Sequence, residues 1–258
     1  MDVYWFEQEM ADVPKGEAWL NLGEANHLRS LRIPKRRADW LLGRWTAKNA
    51  VALFLDLSAE LRALKDIEIL PAPSGAPEVF VRNEPAALTI SLSHRSGVAA
   101  CALAPSCVLL GCDLEIVEPH SAAFAFDYFT AEEQALIASA ATGDRLRLLA
   151  LLWSAKESAL KASREGLRVD TREVMANLPG ILRILDQNQS NSAQSASASL
   201  QTPSQPSDWC PLHVRRPNGQ IFHGWWSQTG DLLRTVLGAP PPAPPILLAV
   251  PSHSAVSG

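Results

Sequence analysis

The stretch LLGCDLEIVEP, residues 109–119, sets the tightest condition on the fold. Apolar residues dominate it until two acids, Asp113 and Glu115, interrupt the run with a single leucine between them. In a strand, side chains at i and i+2 share a face, about 7 Å apart along it. Asp113 and Glu115 therefore project together, while Cys112 and Leu114 face the other way. Two like charges this close resist joint ionisation unless a cation or basic group compensates. Hard oxygen ligands so arranged suit Mg²⁺, which keeps several waters and takes its other ligands from carboxylates and phosphates. Taken alone, the pair is equally compatible with an exposed strand face that carries two acids.

The chain around this strand alternates short strands with helices. VYWF (3–6) reads as an opening strand, and a helical pattern runs from about Lys35 to Leu55. IEIL (67–70) and EVFV (78–81) alternate as strands around the turn PAPSGAP, and LTISLSHRSG is a strand entering a loop. GVAACAL and CVLLGCDLEIV are expected to form a hairpin with its turn at Ala104-Pro105-Ser106. TAEE (130–133) is a capping box that starts a helix at Thr130. A long helix follows from about Asp144 to Ser163, free of Gly and Pro, with Gly166 as its stop. CPLHVRR, IFHGWWSQ and ILLAV are strand-like. Mixed halves of this kind predict an α+β fold with two lobes, each a small, mainly antiparallel sheet packed with a long helix. The expected division is 1–103 and 104–258. Residues 187–208 are low-complexity and poor in large apolar groups, so a disordered insertion is expected there.

Composition narrows the function classes. A formal charge of −4 gives no sign of a nucleic-acid surface, although RIPKRRADWLLGR (32–44) is locally basic. No two of the four cysteines have C-x-x-C spacing, which favours reduced thiols. The opening MDVYWFEQEM has no basic n-region before an apolar core, and the longest apolar run is broken by Pro105, so neither a signal peptide nor a membrane span is expected. These features predict a soluble, cytoplasmic protein.

The long helix carries LLWSAKESALK, residues 151–161. Glu157 and Lys161 are i and i+4 and share a face, with Trp153 one turn earlier; alone, this is an ordinary surface pair. The combination is more specific. GCDLE followed by WSAKESALK resembles the signatures G-x-D-x-E and W-x-x-K-E-x-x-x-K of the 4′-phosphopantetheinyl transferases. SLSHRSG (91–97), RRADWLLGR (36–44) and YFTAEE (128–133) resemble the family's S-x-S-H segment, basic N-terminal helix and F-[ST]-x-x-E segment, in the same order. The resemblance covers about residues 30–175, and the length is similar to that of the larger single-chain, Sfp-type members. One departure matters: Gly75-Ala76-Pro77 stands where many relatives have G-[KR]-P.

The resemblance implies transfer of the 4′-phosphopantetheine arm of coenzyme A to a serine of an acyl or peptidyl carrier protein, releasing adenosine 3′,5′-bisphosphate. It implies that Asp113, Glu115 and Glu157 hold Mg²⁺ against the pyrophosphate, with Glu157 as base toward the serine, directly or through a water. Lys161 would steady the pyrophosphate and the leaving group. Arg37, Arg44, Pro77, Ser93 and His94 would contact the coenzyme, with Lys156 in a supporting role. Trp153 is expected to pack in the core. Most of Phe124, Phe126, Tyr128 and Phe129 are expected there too, one or two being exposed near a carrier-protein dock. A monomer is expected, without membrane or nucleic-acid partners. The rival readings are a degenerate relative that only binds coenzyme A or a carrier domain, and a Mg²⁺-dependent phosphohydrolase.

Overall fold

The computed structural model describes residues 1–58, 60–165, 169–178 and 208–249. Apart from Asp208, the expected disordered insertion lies outside these residues, as does Gly166.

The fold is α+β, with helices set on small sheets whose strand pairs are antiparallel but for one. The helices are α1 (Leu22–Ser30), α2 (Pro34–Phe54), α3 (Ala122–Tyr128), α4 (Ala131–Ser139) and α5 (Arg145–Ala162). The first sheet has the order β12-β1-β6-β5, from β1 (Tyr4–Glu9), β5 (Leu88–Arg95), β6 (Val98–Pro105) and β12 (Ile246–Leu247). The second has the order β7-β11-β10-β9-β8, from β7 (Leu109–Ile116), β8 (Met175–Asn177), β9 (Cys210–Arg215), β10 (Ile221–Thr229) and β11 (Leu232–Ala239). A small third sheet joins β2 (Ile67–Pro71), β3 (Pro77–Val81) and β4 (Glu84–Pro85). The exception to antiparallel pairing is β12, which lies parallel beside β1.

Strand alternation builds three cores. On the first sheet Phe6, Ile90, Cys101 and Leu103 pack with Trp45, Ala47, Ala50 and Val51 of α2. The alternate residues Val3, Trp5, Ala100, Ala102 and Ala104 face the other way, onto Leu110, Cys112, Leu114 and Val236 of the second sheet. Behind that sheet, Leu212, Val214, Phe222, Leu233 and Leu237 pack with Leu151, Leu152, Ala155 and Ala159 of α5. The α5 stripe recurs at three- and four-residue spacing, as an amphipathic helix requires.

The expected hairpin between GVAACAL and CVLLGCDLEIV does not form. β6 pairs on both sides within the first sheet, with β1 and β5, whereas β7 pairs with β11. The Pro105–Val108 connection therefore passes from one sheet to the other, with Cys107 at a left-handed φ of 74°. Both strands do exist where the alternation placed them; only their partners differ.

α5 lies directly on β7 and β11. A Cβ on Gly111 would sit 1.8 Å from the Ser158 carbonyl oxygen and 2.6 Å from the Ala162 nitrogen. The Ser154 and Ser158 hydroxyls meet the Thr235 hydroxyl of β11 at 2.8 and 2.7 Å. The helix ends in a Schellman motif: Arg164 N–H donates to the Lys161 carbonyl (3.0 Å), and Glu165 N–H to that of Leu160 (3.2 Å). Arg164 occupies the left-handed position of this motif, at φ 59°, where glycine is the usual residue.

Gly111→Ala is expected to destabilise the protein by about 2–3 kcal/mol or more, because the methyl group meets helix backbone and not a movable side chain. Gly43→Ala, in α2 with open space around its Cβ position, is expected to raise stability by roughly 0.5–1 kcal/mol. Thermal and chemical denaturation of the two variants checks the contrast.

Candidate functional site

β5 and β7 are edge strands of different sheets, and the S-x-S pair joins them. The Ser91 hydroxyl accepts the Cys112 N–H at 2.9 Å, and the Ser93 hydroxyl accepts the Leu114 N–H at 3.2 Å. The Cys112 thiol donates to the Ser91 carbonyl at 3.2 Å. Side chains two residues apart on β5 thus stand in for a ladder that the two backbones do not make.

Asp113 lies at this seam, 5% exposed. Its Oδ1 accepts from the Ser93 hydroxyl (2.9 Å) and from Lys161 Nζ (2.8 Å). Lys161 also donates to the Cys112 carbonyl at 3.0 Å and to Ser93 at 3.2 Å. Burial opposes the charge on Lys161, but Asp113, with help from Glu157, outweighs it and raises the ammonium pKa. The other Asp113 oxygen, Oδ2, is buried without a hydrogen bond. Two residues on, Glu115 accepts from the Trp153 indole N–H (3.2 Å) and faces the Arg95 guanidinium at 3.4 Å. Burial, then Asp113, pushes the Glu115 carboxyl up to about 7. Glu157, on the α5 turn between Trp153 and Lys161, is raised by burial and then by Asp113, while Lys161 pulls it back.

These three acids fit a hard divalent cation in chemistry. Asp113 offers a buried oxygen without a donor, and Glu115 and Glu157 both feel the Asp113 charge. Carboxylates held close together away from bulk water are what a cation relieves. Among the described residues, however, no three His, Cys, Asp or Glu side chains converge into a closed metal cluster. Lys161 on Asp113 and Arg95 on Glu115 supply positive charge there instead.

The other expected residues are distributed as follows. His94 is exposed at the end of β5; burial lowers its pKa, and Asp39, Lys161, Lys35 and Asp113 all act on it, so it faces both α2 and the acids. Ser93 is part of the seam. Pro77 opens β3 and lines two grooves. The first groove, about 370 Å³, runs from Ser74–Pro77 past Thr89–Leu92 to Leu110, Leu160, Lys161 and Arg164. The second, about 380 Å³, is lined by Glu24, His27, Trp40, Arg44, Leu70 and Pro77, among others. Arg44 donates to the Ile69 carbonyl, lies 3.7 Å from Glu24 and stacks 5.0 Å from the centre of Trp40. Arg37 donates to the Leu28 carbonyl (2.7 Å) and pairs with Glu17 (3.2 Å). Lys156 is placed away from the acids. It is fully buried, pairs with Glu133 at 2.7 Å, donates to the Thr171 carbonyl at 2.8 Å and lies 5.3 Å from the Phe129 ring. It ties α5 to α4 through the same Glu133 that closes the Thr130 capping box.

Trp153 packs at the edge of the α5 core with Phe124, Tyr128 and Phe129. Phe129 is buried, Phe126 is 70% exposed and Tyr128 38% exposed. Two contacts had no signal in the sequence. The Trp153 indole bonds Glu115, and Arg95 bridges Glu115 and Glu118. Arg95 belongs to the SLSHRSG segment, but its partners lie on β7 and in the loop that follows it.

Residues 109–216 match the family model of the 4′-phosphopantetheinyl transferase superfamily. The match begins at β7, contains the whole of α5 and ends in the second sheet; the first sheet and α2 lie outside it. No curated protein matches the chain. No helix among the described residues is long and apolar enough to cross a membrane.

Lys156→Ala leaves Glu133 buried without its cation, so a loss of roughly 3–5 kcal/mol is expected by denaturation. Asp113→Asn should weaken Mn²⁺ binding by more than about tenfold, read by electron paramagnetic resonance of the free ion, while the circular dichroism spectrum stays that of the parent. Unchanged Mn²⁺ affinity would remove Asp113 from the cation site.

Proposed function

We propose that this protein transfers the 4′-phosphopantetheine arm of coenzyme A to a carrier-protein serine, as a two-lobed enzyme of the larger, Sfp-type class. The observation that carries the reading is the seam itself. Within the segment that matches the superfamily, the half-buried Lys161 bonds the buried Asp113, both reach Ser93 of the neighbouring sheet, and one aspartate oxygen is left without a donor. With Glu115 and Glu157 both feeling the Asp113 charge, that free oxygen favours a second cation.

In this reading Asp113, Glu115 and Glu157 would hold Mg²⁺, which would supply positive charge to the phosphate oxygens. Lys161 binds the pyrophosphate as a point charge, held at its place by the Cys112 carbonyl and Ser93. His94, exposed beside the acids and facing α2, contacts a coenzyme phosphate from the opposite wall. Glu157 accepts the proton of the carrier serine, directly or through one water, as the serine oxygen attacks phosphorus. The bond to the pyrophosphate's bridging oxygen breaks, and adenosine 3′,5′-bisphosphate leaves. Lys161 stays with the leaving phosphate. Phe126 and Tyr128 form the exposed apolar rim against which the carrier domain rests.

The test is the intact mass of an apo carrier protein after incubation with the protein, Mg²⁺ and coenzyme A. A Mg²⁺-dependent gain of one phosphopantetheine arm is expected. Lys161→Ala should slow the gain by at least about a hundredfold while its circular dichroism spectrum stays that of the parent. Binding of coenzyme A without any gain, across several carriers, would favour the degenerate binder. Phosphate release from simple esters without a carrier would favour the phosphohydrolase.

A further inference from the structure

Arg164 is one of six described non-glycine residues with a left-handed φ. It stands at the left-handed position of the α5 Schellman end, at φ 59°, where a side chain is a cost that glycine avoids. A strained backbone held by well-formed surroundings points to a use for the side chain. The surroundings are well formed here: the next residue, Glu165, is tied to Arg216 at 2.6 Å, and both closing hydrogen bonds of the helix are present.

The guanidinium is exposed and, among the described residues, makes no hydrogen bond or ion pair. It does not serve the free carbonyls at the end of α5, which a cation there could otherwise satisfy. It lines the first groove instead, one turn beyond Lys161 and on the wall opposite Ser74–Pro77. That turn brings no charge of its own, because residue 76 is alanine. The arginines that the sequence suggested for phosphate binding are already engaged, Arg37 by Glu17 and the Leu28 carbonyl, Arg44 by Glu24 and the Ile69 carbonyl. The groove thus has one cation committed to Asp113 and one that is free.

We propose that Arg164 binds a phosphomonoester at the far end of this groove and, resting on the transfer reading above, that this group is the 3′-phosphate of coenzyme A. With the pyrophosphate at Lys161, the ribose carries the 3′-phosphate away from the acids, and a guanidinium fork is suited to a dianionic terminal phosphate. Arg164 is then a specificity-determining residue. It does the work at the α5 end that the turn at Ala76 cannot do.

Calorimetric titration with adenosine 3′,5′-bisphosphate and with adenosine 5′-monophosphate isolates the group, since the two differ only by the 3′-phosphate. The wild-type protein should prefer the bisphosphate by at least about tenfold, the scale of one charge-assisted contact. Arg164→Gln should bring the two affinities to within about twofold without weakening the monophosphate. Adding Ala76→Lys to Arg164→Gln should restore the preference from the opposite wall. If the Gln variant fails to fold, Arg164→Gly, suited to the positive φ, carries the same comparison. A preference that survives the loss of Arg164, a wild-type protein without preference, or one that binds neither nucleotide overturns the proposal. A wild-type protein that shows the preference but modifies no apo carrier overturns the transfer reading and leaves this assignment standing.

Discussion

The arrangement depends on two serine hydroxyls that do the work of a missing sheet ladder. Ser91 and Ser93 take the N–H groups of Cys112 and Leu114, so two edge strands are joined without backbone pairing. A bare N–H buried at such a junction would cost roughly 1–3 kcal/mol. The hydroxyls also set a spacing that direct pairing would not allow. Because the strands are held a side chain apart, Lys161 can reach in and cap the Cys112 carbonyl while bonding Asp113. The charged centre and the joint between lobes are thus one structure.

The second constraint is the closeness of α5 to β7. Gly111 lets the helix backbone down onto the strand, and Thr235 engages two helical serines on the next strand. With that register fixed, Trp153 falls beside Glu115 and Lys161 beside Asp113. The pairing runs oppositely along strand and helix, so the two acids are read by residues two helical turns apart. Glu157 occupies the turn between them.

Much of this was legible in the sequence because it is local. The Thr130 capping box, the Gly- and Pro-free run of α5, the strand alternation and the shared face of Asp113 and Glu115 all depend on near neighbours, and each element stands close to its expected bounds. The short helices α1 and α3 gave no clear periodic signal, and β11 was hidden among apolar residues that read equally well otherwise. The expected hairpin at Pro105 failed for a different reason. A turn signal specifies a change of direction, not a partner, and β7 found its partner in β11, more than a hundred residues later in the chain. Lys156 shows the same limit at the site. Its place in a motif beside Glu157 said nothing about which way it points, and one residue around a helix is about 100°. That rotation separates a core ion pair with Glu133 from the acids of the seam.

The parallel strand β12 has a consequence for how the molecule comes together. The N–H groups of Ile246 and of Leu248, just beyond it, bond the carbonyls of Val3 and Trp5, so the last described strand completes an edge begun by the first. Closing so long a loop is entropically expensive and slow compared with local pairing. A ribosome would release β1, β5 and β6 well before Ile246 emerges, and β1 would wait with one side unpaired. An open strand edge is a template for any extended segment nearby. The nascent first sheet is therefore open to wrong partners along β1, and the few residues around Ile246 act as the latch that closes that edge.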